Sequence, residues 1–275
     1  MSSDAASDRF SFSLTTFSPT GKLVQIEYAL KAVLNGHTSV GIKTKEGIVL
    51  AAEKRLASPL IDTMESRVTL VAPGLGLVYS GISPDAKLLI AKARKIAQKH
   101  WMAFREYPTA LILVKELASV VQEYTQSGGV RPFGVSFLVA GFDDSAATGD
   151  GNQRKTITPH SLYQIDPSGT FWQWRATAIG KNTANAKAFL ERRYQEDSTL
   201  EDAIHTAILA IKEGYEASGA SGSSFSADCI EIGILRMVPF HVSVNTHIPE
   251  WQTRSMAPEF VLLSQTEVTE YLESI

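Results

Sequence analysis

An α+β fold, with two antiparallel sheets sandwiched between helix pairs, is what this amino-acid sequence predicts. Strand-like and helix-like segments arrive in blocks rather than in strict alternation, the pattern of antiparallel sheets with segregated helix layers. The run Ile48-Val49-Leu50-Ala51-Ala52 has no polar alternation, as expected of a strand covered on both faces. Helix pairs with apolar stripes follow the strand blocks, and two sheets held between such pairs use every apolar face.

After a small polar tail at residues 1–9, aromatic and aliphatic residues alternate with Ser and Thr from Phe10 to Phe17, and Ser18-Pro19-Thr20-Gly21 makes a turn. Leu23, Ile26, Leu30 and Val33 recur at helical spacing, so residues 23–34 read as a short amphipathic helix stopped by Asn35-Gly36. Two strand pairs rich in β-branched residues come next, 39–43 with 47–53 and 67–71 with 76–80. They turn at Lys45-Glu46-Gly47 and around Pro73-Gly74. Gly74-Leu75-Gly76 lacks the third glycine of a nucleotide loop and is read as part of that turn.

Ser83-Pro84-Asp85 then offers a cap, a proline and an acid in the order a helix start prefers. Its stripe is Ala86, Leu89, Ile90, Ala93, Ile96, Ala97, Trp101 and Phe104. A second helix over 109–126 carries Leu113, Val114, Leu117, Val121 and Tyr124 on one face. Leu111, Ile112 and Val120 lie off that face and suggest contact beyond the core. A strand over 133–141, a polar segment over 143–159 and a hairpin turning at Asp166-Pro167-Ser168-Gly169 follow. Another helix pair opens at Asn182 and Ser198, the latter with Glu201 as a capping box, and Ala203, Ile204, Ala207, Ile208, Ile211 and Tyr215 give the second its buried face. A strand near 229–235 and a short helix over 265–272 close the chain.

A chain of 275 residues can bury a full core without a disulfide or metal staple. Its 44% apolar and 20% charged residues argue against wholesale disorder. With 26 basic against 29 acidic residues the net charge is −3, which gives no general electrostatic reason to bind nucleic acid or an anionic membrane. No apolar stretch approaches the ~20 residues that span a bilayer, and the N-terminal tail lacks the cationic start and apolar segment of a secretory signal. The single cysteine, Cys229, favours an intracellular compartment, and its apolar surroundings point to a core thiol.

Catalytic signatures are sparse: no Gly-x-Ser-x-Gly elbow, no His-Glu-x-x-His and no phosphate loop occurs. The six histidines, His37, His100, His160, His205, His241 and His247, show no metal-ligand spacing. Trp172-Gln173-Trp174-Arg175 reads as an alternating strand with packed aromatics rather than a platform for bases or sugars.

Residues 10–29, running Phe10-Ser11-Phe12-Ser13-Leu14-Thr15-Thr16-Phe17-Ser18-Pro19-Thr20-Gly21 into Lys22-Leu23-Val24-Gln25-Ile26-Glu27-Tyr28-Ala29, closely resemble the N-terminal signature of proteasome α subunits. The likeness continues through residues 122–136, through Asp166-Pro167-Ser168-Gly169 and through Ala176-Thr177-Ala178-Ile179-Gly180-Lys181-Asn182. Residues 11–16 and 201–209 look most like one particular eukaryotic α type. The resemblance implies the four-layer α-β-β-α sandwich of the N-terminal-nucleophile hydrolases, with residues 10–275 as a single domain and 1–9 as a mobile tail.

Proteolytic β relatives in this family expose a threonine whose free amine serves as base for its own hydroxyl. The corresponding residue here looks like His37, while the supporting aspartate and lysine fall near Glu53 and Arg67. Imidazole offers no hydroxyl, and the nitrogen of Thr38, the nearest hydroxyl residue, lies inside a peptide bond. The resemblance therefore implies no catalytic residue, metal or cofactor in this chain, but a structural member of the outer heptameric α ring of the core particle. The alternative is an active amidohydrolase using Thr38 after processing. Partners implied are the other α subunits, the β subunits, and a regulatory particle or other activators through their C-termini, with neither nucleic acid nor membrane among them. Cytoplasmic and nuclear localisation is expected.

By the same resemblance an activator's C-terminal carboxylate docks against Arg67, with Gly36 and Ile82 completing the pocket; an ordinary solvated charge opening a strand is the other reading of Arg67. Pro19 marks a gate turn that works with Phe10 and Ser11 of the tail. Two departures stand out. Phe10 occupies a position that is commonly Tyr in the family, and the segments at 143–159 and 237–258, read as surface loops, are longer than the family leads one to expect.

Overall fold

The apolar run at 48–52 becomes the centre of a sheet, buried from end to end. In a computed structural model, which describes residues 16–55, 60–61, 66–143, 160–217, 225–239 and 256–275, the chain begins with α1 (Val24–Leu34), β1 (Ser39–Lys43), β2 (Gly47–Glu53), β3 (Val68–Ala72) and β4 (Leu75–Gly81). Then come α2 (Ser83–Phe104), α3 (Ala110–Gln126), β5 (Val135–Phe142), β6 (His160–Ile165), β7 (Phe171–Trp174) and β8 (Ala176–Ile179). The last elements are α4 (Thr183–Arg193), α5 (Leu200–Ala217), β9 (Ile230–Pro239), β10 (Met256–Leu262) and α6 (Gln265–Glu273).

Every strand pair is antiparallel, and the strands form two five-stranded sheets of order β10-β9-β2-β1-β8 and β3-β4-β5-β6-β7. Alternation along β2 explains its burial: Val49 and Ala51 meet the residues of α4, α5 and α6, while Ile48, Leu50 and Ala52 meet the opposite sheet. On the outer side of that opposite sheet, Leu89 and Ala93 of α2 join Leu113 and Leu117 of α3 against Leu77, Phe137 and Ile165. Each buried leucine there contributes about 1.5–3 kcal/mol. The four-layer order of helix pair, sheet, sheet and helices is thus the one anticipated.

Between the sheets, the Phe260 ring fills a space that two glycines vacate. A Cβ at Gly76 would fall 2.1 Å, and one at Gly233 2.5 Å, from that ring. Any side chain at either position would push β10 away from its neighbours.

Several local expectations are corrected. Ser83 is not the cap of α2; that position is Ile82, and the Ser83 hydroxyl instead lies 3.0 Å from the Tyr79 hydroxyl. The capping box of α5 falls one residue later than Ser198–Glu201. The Thr199 N–H donates to Asp202 (3.2 Å) and the Asp202 N–H to Thr199 Oγ1 (3.1 Å). Phe104 is mostly exposed, its ring against His100 one turn back, while Trp101 stacks on Tyr107 of the segment after the helix. Cys229 is half-buried in a short 3-10 turn rather than enclosed in the core.

The segment at 237–258 is not a loop throughout. Met237, Val238 and Pro239 pair with Pro258, Ala257 and Met256, extending both strands. Pro258 is tolerated because β10 is an edge strand. Residues 240–255 and 144–159, like the tail at 1–9 with Phe10 and Ser11, lie outside the described residues.

Candidate functional site

One end of the sandwich gathers the start of β1, the ends of β2 and β4, and the C-terminus of α1. Helix α1 stops where Gly36 N–H reaches the Val33 carbonyl at 2.9 Å. A Cβ at Gly36 would lie 2.4 Å from the Gly81 nitrogen and 2.5 Å from Ser80 Oγ, so only glycine lets α1 close on β4 here. Ser80 Oγ donates to the His37 carbonyl at 2.8 Å, and Lys181 N–H donates to the Gly36 carbonyl at 2.8 Å. Ile82 follows at once, its N–H bonded to the Gly134 carbonyl and its side chain packed over Gly134.

Thr38 is committed at both of its donors. Its N–H donates to Glu53 Oε2 (3.2 Å) and its hydroxyl to the Lys181 carbonyl (2.6 Å), and the residue is buried. The His37 ring nitrogen Nδ1 lies 3.8 Å from Glu53 Oε1. Burial pushes the Glu53 carboxyl up, but the interactions with His37 and the Thr38 N–H outweigh it and hold the group below its ordinary value. A hydroxyl that donates to a carbonyl, on a residue whose nitrogen is an amide, has neither the base nor the freedom of a nucleophile.

Arg67 is not a solvated charge. It is only 6% exposed, with its guanidinium 5.4 Å from the centre of the Tyr79 ring, and its Nε and Nη1 are buried with no hydrogen-bond partner among the described residues. Its backbone is held from the other sheet, where Glu231 Oε2 accepts from Arg67 N–H at 2.7 Å and lies 3.0 Å from Ser66 Oγ, whose hydroxyl is shared with the Val68 carbonyl at 2.6 Å.

Pro19 occupies the second position of an exposed turn, in which Gly21 N–H donates to the Ser18 carbonyl at 2.8 Å and Gly21 adopts φ +76°. That turn and Gly36 stand at opposite ends of α1, whose 11 residues span about 16 Å. The structure therefore brings Gly36 and Ile82 to neighbouring places beside Ser80–Gly81, seats Arg67 on Tyr79 of the same strand, and keeps Pro19 apart from all three. Sequence reasoning missed Tyr79 and Glu231. The signal for Glu231 was present, a lone acid inside Ile230-Glu231-Ile232-Gly233-Ile234-Leu235.

Among the described residues no group of three His, Cys, Asp or Glu side chains is placed to hold a metal ion, and no helix is long and apolar enough to cross a membrane.

Comparison with known proteins places this geometry in context. Residues 33–230 match the family model described as proteasome subunit, and residues 10–32 match the N-terminal signature of the A-type proteasome subunits. The chain is 47% identical over 268 residues to the alpha type-2 proteasome subunit of Oryza sativa subsp. japonica, covering 97% of this chain and 98% of the relative. It is 48% identical over 270 residues to the probable alpha type-2 proteasome subunit of Schizosaccharomyces pombe, covering 98% and 99%. It is 51% identical over 230 residues to the alpha type-2 proteasome subunit of Drosophila melanogaster, covering 83% and 90%.

Proposed function

The chain belongs to the proteasome subunit family, and on that premise we propose that it is a noncatalytic α-type subunit of the outer heptameric ring. Its roles there are ring assembly, closure of the axial substrate gate and activator docking in ATP- and ubiquitin-dependent protein degradation. The observation that carries the noncatalytic part is the commitment of Thr38: amide to Glu53, hydroxyl to Lys181, and an imidazole at position 37. Peptide hydrolysis by the particle then belongs to the β subunits. An epoxyketone or β-lactone probe applied to the purified particle tests this; the expected result is labelling of β chains with this chain unmodified at its full intact mass. Covalent capture on this chain, or loss of its first 37 residues, restores the hydrolase reading.

Arg67, with Gly36 and Ile82, forms the docking pocket in this proposal. Arg67 Nε and Nη1 have no acceptor among the described residues, and an entering carboxylate would supply one through a charge-assisted hydrogen bond. Ile82 is 37% exposed and offers apolar surface at the end of β4, the strand that carries Tyr79. The rod of α1 then links the docking end at Gly36 to the turn at Pro19, where Phe10 and Ser11 lead into the pore-closing tail. The partners in this reading are the other α subunits, the β ring and activator C-termini, and the compartment is the cytoplasm and nucleus. Native mass spectrometry of the assembled particle and imaging of the tagged chain test these two statements.

A further inference from the structure

Arg67 lies just before β3, an edge strand whose first ladder pair is Val68 with Val78. The position of its backbone is set instead by a single carboxylate from β9 in the opposite sheet. Glu231 Oε2 accepts from Arg67 N–H (2.7 Å) and Val68 N–H (3.4 Å) and lies 3.0 Å from Ser66 Oγ, which is also 2.6 Å from the Val68 carbonyl, and Oε1 lies 3.3 Å from Lys54 Nζ. The Glu231 side chain is 15% exposed, so water competes little for these bonds. The guanidinium is fixed separately, over the Tyr79 ring, and the Tyr79 hydroxyl is itself held by Ser83.

We propose that Glu231 is the positioning residue of the docking pocket: it clamps the backbone at 66–68 so that the Arg67 guanidinium waits, already ordered, for an activator carboxylate. This deepens the reading of Arg67 as the docking group and rests on it. The physical reason is preorganisation. Arginine is long and loses much rotamer freedom on binding, and a side chain ordered in advance spares the complex that loss. Arg67 Nε and Nη1 have no acceptor among the described residues, and orphaned buried donors call for an explanation, which a docked carboxylate would supply. Glu231 touches no ligand in this account; it acts through Arg67.

The test uses assembled core particles carrying Glu231→Ala, Glu231→Gln, Arg67→Ala or the Arg67→Ala/Glu231→Ala pair, titrated with purified regulatory particle while hydrolysis of a fluorogenic peptide is followed. Glu231→Ala should raise the activator concentration for half-maximal stimulation by roughly tenfold while the maximal stimulated rate holds, as loss of an outer-shell partner does elsewhere. Glu231→Gln keeps an acceptor oxygen and should recover part of the loss; it also carries the test where the alanine variant fails to assemble. The double variant should match Arg67→Ala alone, because a residue acting through another adds nothing once that other is gone. Amide hydrogen exchange at Arg67 and Val68 should quicken in both Glu231 variants.

Multiplicative effects in the double variant, an unchanged half-maximal concentration in both Glu231 variants, or a fall in maximal rate without a change in that concentration would each overturn the positioning role while leaving the docking role of Arg67 standing. An unchanged half-maximal concentration in Arg67→Ala would overturn the docking reading itself, and the positioning role with it.

Discussion

Asp85 and Arg131 form a two-pronged ion pair, with Nη1 2.6 Å from Oδ2 and Nη2 2.8 Å from Oδ1. Asp85 sits in the first turn of α2, and Arg131 in the connection from α3 to β5, so the pair joins the two outer helices to the strand between their ends. Asp85 Oδ2 also accepts from Gly134 N–H at 3.0 Å. The acid of Ser83-Pro84-Asp85 therefore does more than suit a helix start.

The pair predicts an acid-sensitive contribution to stability. Burial pushes the Asp85 carboxyl up, but the hydrogen bonds from Arg131 and Gly134 outweigh it and hold the group below its ordinary value. Its folded pKa is depressed, so the contribution is complete above the unfolded value of about 3.9 and is lost as pH falls through the lower folded value. Asp85→Asn should cost about 1–3 kcal/mol at neutral pH, and less of it at pH 3, because it strands a guanidinium that is largely exposed but leaves Gly134 poorly served. Urea unfolding at the two pH values measures the difference.

His160 makes stability fall in the same direction on acidification, but at a higher pH. The ring is buried, with Nε2 3.1 Å from the Lys45 carbonyl and an edge-on contact with Phe142. Burial, with the nearby Lys43 charge adding to it against the Lys45 hydrogen bond, pushes its pKa down. The folded state then resists a proton that the unfolded state takes up below about pH 6.5, so stability falls as pH drops through that range. His160→Gln retains a donor for the Lys45 carbonyl and removes the titration. Its unfolding midpoint should shift less between pH 7.5 and 5.5 than that of the parent chain.

How much of this is legible without the structure depends on sequence distance. Periodicity within one helix locates α1 to α6 to within a residue or two, since burial of Leu113 and Leu117 or of Ala203 and Ala207 is decided by neighbours four residues apart. Caps slip where two frames compete: Ser198–Glu201 and Thr199–Asp202 both fit the rule, and only packing of α5 distinguishes them. The far half of β9 reads as loop because Pro239 and Pro258 look like breakers; Pro258 is permitted by the edge position of β10, and Pro239 by its place past Arg236, where pairing with β2 has ended. Gly36 and Arg67 are singled out as docking candidates by family resemblance alone. What holds Arg67 is not legible in the sequence, because Glu231 reaches it across 164 residues.

Gly36→Ala should damage the proposed docking pocket through sterics alone. The new methyl meets backbone at Gly81 and Ser80 Oγ within 2.5 Å, and backbone cannot swing aside as a flexible side chain can. Overpacking of this kind costs about 1–3 kcal/mol and would lever the end of α1 away from β4. The expected outcome is a chain that assembles with reduced thermal stability and a particle that needs more regulatory particle for half-maximal stimulation. A normal titration would remove Gly36 from the pocket.

Thr38→Val separates structure from catalysis. The substitution keeps the shape of the side chain but leaves the Lys181 carbonyl without its hydroxyl donor, at a cost of about 1–3 kcal/mol for a buried unpaired acceptor. Lys181 precedes Asn182, whose side chain donates to the Gly214 carbonyl of α5 at 2.8 Å, so the disturbance should spread to the α4–α5 junction and quicken amide exchange there. Peptide hydrolysis by the assembled particle should not change, because the hydroxyl is a donor to backbone and has no base to activate it. Loss of one peptidase activity in that variant, with the particle intact, would mean that Thr38 reaches substrate after all.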